Sequence, residues 1–204
     1  AAGATLINWK AYLAMTARTG NPAYGLHLAE QHAPLFGALD YCFRHAATVR
    51  EALRRLFVYQ RLLHGPIQAL SLVEEPGLAR LCFLPPLPVE VLPAQVPQFV
   101  LARILTMLRR DTRRAVVPRK ASFRHPAPAD LSEHRRVLGC PLKFGAPIDA
   151  LDLDPALLEL PLPPADRWLD TILSRYASEM LARRPHEDDL VSRVRRAIAD
   201  TLPG

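Results

Sequence analysis

Prolines decide where this chain can be regular. There are 20 of them in 204 residues. Each locks φ and removes a backbone donor, so the sequence divides into short segments with marked ends. A first helix is read over residues 5–19, with Leu6, Trp9, Leu13 and Thr16 on one face, and Gly20-Asn21-Pro22 stops it. A short helix follows from Pro22 to about His32. Phe36 to His45 (FGALDYCFRH) reads as an extended segment. Thr48 and Glu51 have the spacing of a capping box, in which hydroxyl and carboxylate satisfy the first backbone donors of a helix. Val49, Ala52, Leu53, Leu56, Phe57 and Leu63 form the apolar stripe of that helix, and Gly65-Pro66 ends it.

Ile67 to Leu84 reads as a hairpin turning at Glu75-Pro76-Gly77. Beyond Pro85, Pro86, Pro88 and Pro93, a long helix is expected from about Ala94 to Arg114. Its last turn carries Arg109, Arg110, Arg113 and Arg114, where cations suit the negative end of the helix dipole. A short strand over Lys120 to Arg124 comes next. Asp130 to Leu138 reads as a helix with Asp130 as cap and Glu133 in the capping-box position, ended by Gly139. Leu142 to Leu153 holds a strand pair, or a strand with a turn at Gly145-Ala146-Pro147. Asp154 reads as a cap on the turn that Pro155 begins. Two helices close the chain, over Ala165 to Arg184 and from His186 to about Thr201.

Strands and helices therefore mix, but a hairpin breaks any regular alternation. The expectation is an α+β fold: an antiparallel or mixed sheet covered by helices, with a helical C-terminal segment. Residues 1–204 are read as a single domain, of which 164–204 is that helical segment.

Composition narrows the function. Half of the chain is hydrophobic and 23% is charged, as in a soluble globular domain. No run of about 18 apolar residues exists to span a membrane, and residues 1–10 show no signal peptide. Cys42, Cys82 and Cys140 are an odd, scattered set that reads as reduced core thiols in a cytoplasmic protein. The net charge of +6 hints at nucleic acid, but only Lys10, Lys120 and Lys143 among the 26 basic residues are lysines. That arginine dominance also fits GC-rich codon usage. Arg109 to Lys120 is the densest basic stretch, read as a solvated helix end and loop ahead of a phosphate-contacting surface. No compact helix-turn-helix is visible.

Catalytic and metal signatures are missing. There is no G-x-S-x-G elbow, P-loop, G-x-G-x-x-G or Cys-x-x-Cys. His27 and His32 are five apart, on different helix faces, and do not match a zinc pair. The expectation is no enzyme, no metal and no cofactor.

Several segments together resemble a known family. Gly20-Asn21-Pro22-Ala23-Tyr24-Gly25-Leu26-His27-Leu28-Ala29-Glu30 is similar to the GNPAxGLxLGE signature of one group of AraC-type transcription regulators. Phe36 to Tyr41, TVREAL from Thr48, Tyr59-Gln60-Arg61-Leu62-Leu63, Phe123 to Pro128, and Gly139 to Pro147 continue the resemblance in order. Asp189 to Arg196 resembles the stretch that leads into the DNA-binding half. The match runs over about residues 5–204 and concerns the N-terminal arabinose-binding-type domain. It implies a cytoplasmic bacterial regulator whose sensing half binds a small-molecule effector. Two helix-turn-helix units would follow, and DNA would be read only through them. It does not imply arabinose as the ligand.

An effector of such a domain needs a concave, mainly apolar site with a few polar groups. The candidates are Tyr41 and Phe43 on one face of the first expected strand, and Tyr59 and Leu63 one turn apart on a helix. Phe83 and Phe123 belong to later strands, and Phe99, Arg103 and Met107 form a stripe on the long helix. Ordinary core packing is the alternative for each aromatic residue. Arg103 is the single charge on its stripe and needs an effector carboxylate, a protein carboxylate or backbone carbonyls. Leu169, Ile172, Leu173 and Tyr176 are candidates for a homodimer interface, or for packing onto the chain's own sheet. A dimerisation scaffold without an effector is the second functional reading, and a small enzyme is the third.

Overall fold

The computed structural model of the protein describes residues 20–31, 43–64, 69–85, 92–163 and positions 171, 172, 175 and 179, with the backbone alone for 59–64. The elements in order are α1 (Tyr24–Ala29), α2 (Val49–His64), β1 (Leu70–Glu75), β2 (Leu78–Phe83), α3 (Gln95–Thr112), β3 (Lys120–Ser122), α4 (Ser132–Leu138), β4 (Leu142–Lys143) and β5 (Asp149–Leu153). A 3-10 turn over Pro155–Glu159 follows. The fold is α+β.

The five strands form one mixed sheet in the order β1-β2-β5-β3-β4. β1 and β2 are the expected hairpin, joined through Pro76 and Gly77, whose φ of 76° suits only glycine comfortably. β2 and β3 pair antiparallel with β5, while β3 and β4 run parallel. α4 makes the connection that a parallel pair requires. The two strands expected between Leu142 and Leu153 both exist but do not pair with each other, because β3 lies between them.

Alternation divides the sheet. On one face Ala79, Leu81 and Phe83 of β2 stand beside Leu153, Leu151 and Asp149 of β5, and Ala121 of β3 continues the row. All of them are buried. The opposite face carries Arg80, Asp152 and Lys120 in register across three strands. Asp152 accepts from Arg80 Nε at 2.6 Å and meets Lys120 Nζ at 3.0 Å. Burial opposes its ionisation, but these two cations hold its carboxyl below the usual range.

α3 is the central helix, with 13 of its 18 residues buried. A helix apolar on nearly all sides has to be covered on nearly all sides. It packs on β2 and β5, on α1 and on α4. Pro97 falls in its first turn, where the missing N–H has no intrahelical partner to lose. Thr48 and Glu51 cap α2: Glu51 N donates to Thr48 Oγ1 at 3.3 Å, and the Glu51 carboxylate accepts from Ala47 N at 2.8 Å. Val49 N to Leu160 O and Leu162 N to Ala47 O tie this helix start to the end of the 3-10 turn. Asp154 caps that turn, accepting from Ala156 N at 2.9 Å.

Two local expectations are corrected. Phe43 and Arg44 are helical, so the segment read as extended over Phe36 to His45 ends in a helical turn; residues 36–42 lie outside the described residues. That turn buries Phe43 immediately before the α2 cap, with Ala46 N donating to Phe43 O. In α4, Leu131 holds the cap position and Asp130 accepts from Ser132 N and Oγ. Glu133 does not close a capping box, because His27 and Arg136 take its carboxylate. Gly139, at φ 68°, ends α4 as expected. In the C-terminal segment Thr171, Ile172, Arg175 and Glu179 are helical; the rest of 164–204 lies outside the described residues, as do residues 1–19. No helix among the described residues is long and apolar enough to cross a membrane.

Gly25 sets the closest approach of α1 to α3. A Cβ built there would stand 2.2 Å from the Gln95 carbonyl oxygen, and backbone cannot yield as a side chain can. Gly25→Ala is expected to lower the unfolding free energy by about 1–3 kcal/mol, the usual cost of overpacking. Urea unfolding followed by circular dichroism checks it, and an unchanged midpoint would show that α1 shifts freely on α3.

Candidate functional site

Two buried polar groupings stand out in the described core. The first centres on Arg103, which is 1% exposed in the middle of α3. Its Nη1 donates to the Gln31 carbonyl at 2.6 Å and to that of Ala29 at 3.5 Å. The guanidinium thus reaches the carbonyl end of α1, where a cation is favoured. Phe99 and Met107 flank it on the same stripe, each 1% exposed.

The second grouping lies at one end of the sheet. The C-terminal ends of β2, β3 and β4 meet the start of β5 there, beside the first turns of α3 and α4. Phe123 directly follows β3, and Phe144 directly follows β4. Gly145 N donates to His125 O and Ala146 N to Phe123 O, so the two post-strand segments remain joined. Gly145 turns the chain with φ of 63°. The Phe123 and Phe144 rings stack, with centroids 5.5 Å apart. His125 lies 5.3 Å from Phe123 and 5.4 Å from Phe144. His134, from α4, meets the same two rings edge-on at 6.2 and 5.8 Å.

Polar contacts within this cluster are few and specific. His125 Nδ1 is 2.8 Å from the Pro126 carbonyl and so carries the proton, leaving Nε2 to accept from the Gln98 amide at 3.3 Å. Asp149, 1% exposed, accepts from Arg124 N at 2.8 Å. Gln98 Oε1 and both ring nitrogens of His134 are buried without a hydrogen-bond partner. Burial lowers the pKa of His125, against the pull of the Pro126 carbonyl and Asp149. Burial also lowers that of His134, and the neighbouring His125 adds to the effect. Burial raises the Asp149 pKa, while the Arg124 N–H opposes it. The site is thus an aromatic wall bordered by neutral imidazoles and an amide.

The residues singled out from the sequence are divided between these places. Phe123 belongs to the aromatic cluster. Phe83 ends β2, in register with Asp149. Phe99, Arg103 and Met107 share the α3 stripe. Phe43 is buried in the helical turn before α2, not on a strand. Tyr41 lies outside the described residues, and Tyr59 and Leu63 are placed on α2 by backbone only. Ile172 is helical and half-buried; Leu169, Leu173 and Tyr176 lie outside the described residues. Gln98, His125, His134 and Phe144 are not among the residues that the sequence singles out. One signal for His134 is present in the chain: it shares a face of α4 with Val137 and Leu138, which are also buried.

The two described thiols add no reactive centre. Cys82 is buried and Cys140 half-buried, both unpaired, and burial pushes the Cys140 thiol up to about 11. Among the described residues no three metal-binding side chains come together.

A family model described as the N-terminal arabinose-binding domain of AraC transcription regulators matches residues 9–162. The crystal structure of the transcriptional regulator CdpR from Pseudomonas aeruginosa is similar, with a TM-score of 0.64 at 15% sequence identity. The likeness covers 100% of this chain and 67% of that one, and it concerns the fold. No curated protein matches the sequence.

Two measurements follow from this geometry. Arg103→Met keeps the length of the stem but removes the donors, and should cost about 2–3 kcal/mol in unfolding free energy, the worth of a charged hydrogen bond. Undiminished stability would show that the α1 carbonyls do not need the guanidinium. The lowered histidine pKa values carry a sign: the unfolded chain takes up protons first as pH falls through the ordinary 6.5, so stability is lost on that side. Asp149 works the other way, adding stability at acid pH that is lost as pH rises through its raised pKa. His134→Phe should therefore flatten the fall in stability between about pH 7 and about pH 5 relative to the parent chain. Parallel slopes would show that His134 is not held neutral.

Proposed function

The chain belongs to the AraC-type transcription regulators, carrying their N-terminal arabinose-binding domain, and on that premise we propose that it is the effector-sensing half of a cytoplasmic bacterial regulator. The proposed domain spans residues 1–204, with the helical segment 164–204 leading to a DNA-binding half of two helix-turn-helix units. A small molecule binds one conformation of the sensing domain better than another. It thereby shifts the placement of the DNA-binding half or of a homodimer.

The family supplies the regulatory role, as opposed to an enzymatic one. The observation that carries the sensing role is the buried polar set at the sheet end. Gln98, His125, His134 and Asp149 are buried together beside the apolar residues of the core, and of their side chains the Gln98 oxygen and both His134 ring nitrogens have no partner. Buried polar groups left unpaired destabilise a fold and are retained where they serve a purpose. Phe83 and Phe123 border this end and are proposed as effector contacts. Phe99, Arg103 and Met107 are a second candidate wall, beneath the end of α1. The proposed dimer contact remains on the C-terminal segment at Leu169, Ile172, Leu173 and Tyr176.

Native mass spectrometry of the chain purified from bacterial cells tests the reading, with a denatured control. The expected outcome is a small mass that leaves on denaturation, together with a melting temperature that rises when the same compound is added back. An apo mass and no stabilisation across a metabolite collection would favour the scaffold reading, in which the domain joins two copies and senses nothing.

A further inference from the structure

Resting on the reading of this domain as a sensor, we propose that the sheet end between α3 and α4 takes an uncharged, ring-bearing ligand with a hydroxyl or amide group, held by His134 and Gln98. The unmet hydrogen-bonding groups define the ligand. His134 is 1% exposed and neither of its ring nitrogens has a partner. A neutral imidazole offers one donor and one acceptor. Each left unmade in a dry interior costs about 1–3 kcal/mol. Gln98, also 1% exposed, gives one amide N–H to His125 and leaves its oxygen as an acceptor. The three unpartnered atoms are therefore one donor and two acceptors. A hydroxyl or primary amide, which donates and accepts, complements it.

The walls define the rest of the ligand. Both histidines pack on the stacked pair Phe123 and Phe144. His134 with its unmet nitrogens therefore borders one aromatic surface, and Gln98 joins it through His125, which favours a flat apolar ring. Charge is excluded by what the cluster offers. An anion would face the Gln98 oxygen and the Asp149 carboxyl. A cation, which only donates, would leave the His134 ring N–H unmet and would lose its hydration in a dry interior. Phe144 is half-buried where its three cluster partners Phe123, His125 and His134 are buried, and it stands between Lys143 and the turn at Gly145. It is the ring that moves aside to admit the ligand.

Phenol, toluene and benzoate separate the required features, since they share a ring and differ in the polar group. In 15N-resolved spectra of the His134 imidazole, phenol should shift the ring signals saturably. Toluene and benzoate should bind at least about tenfold more weakly, the equivalent of one hydrogen bond. His134→Phe keeps the aromatic volume and should lose about tenfold in phenol affinity, with circular dichroism showing that it folds. If that variant does not fold, Gln98→Met removes the acceptor and makes the same test. Unmoved His134 signals in phenol, or equal affinity for all three probes, overturns the proposal. A compound retained in the native mass spectrum that perturbs residues elsewhere also overturns it, while leaving the sensing role intact. An apo native mass with no stabilisation by any compound defeats the sensing role itself.

Discussion

The architecture depends on burying α3 from every side. A helix with 13 of 18 residues inaccessible has no face to give to solvent, so the sheet, α1 and α4 all have to reach it. This explains why a six-residue helix such as α1, too short to be stable alone, is ordered. Gly25 lets it approach to backbone contact with Gln95, and Arg103 reaches across to its last carbonyls. Arg109, nearer the other end of α3, donates to the carbonyls of Val116, Val137 and Leu138 and so gathers the loop after α3 and the end of α4. These two arginines of a mainly apolar helix are its connections to neighbouring elements. Each of these bonds ends on a peptide carbonyl. The long stems fill core volume while the guanidinium groups satisfy backbone that would otherwise end unpaired.

Around that helix the charged groups are arranged by exposure. His27, Glu30, Glu133 and Arg136 join α1 to α4 near the surface, with Arg136 Nη2 to Glu30 at 2.6 Å and His27 Nε2 to Glu133 at 2.7 Å. Pairs of this kind contribute modestly in water; their geometric role is to set how α4 lies over the sheet end. Because α4 also carries His134, the surface network and the buried cluster are two sides of one short helix. Phe144 and His134 are thereby connected through α4 to α1, and Arg103 connects the end of α1 to the middle of α3.

Local chemistry is readable in the sequence and distant pairing is not. The hairpin at Pro76-Gly77, the Thr48 and Asp154 caps and the Gly139 stop all depend on residues within a few positions of each other, and all stand where their side chains predict. The separation of β4 from β5 by β3 depends on contacts between segments far apart in the chain, which no turn residue encodes. The extended reading fails at Phe43 because β-propensity expresses packing on a half-buried surface; there the burial is met by a helical turn. The candidate site is legible only in part. Phe123 is visible as an aromatic on a strand, but His125 and His134 converge from different segments. The unmet ring nitrogens of His134 are a property of the packed core. Gln98 reads as an ordinary polar residue in a helix until its neighbours are known.

The sheet's two margins among the described strands differ in kind. β4 offers only two residues of edge, one of them Lys143, and β1 ends in the consecutive carboxylates Glu74 and Glu75. Short or charged edges are poor templates for a further strand. A chain that opens its core to admit a ligand exposes apolar surface for as long as it stays open. If the proposed ligand enters by such loosening, the two-residue edge of β4 and the carboxylates ending β1 oppose the pairing of loosened copies.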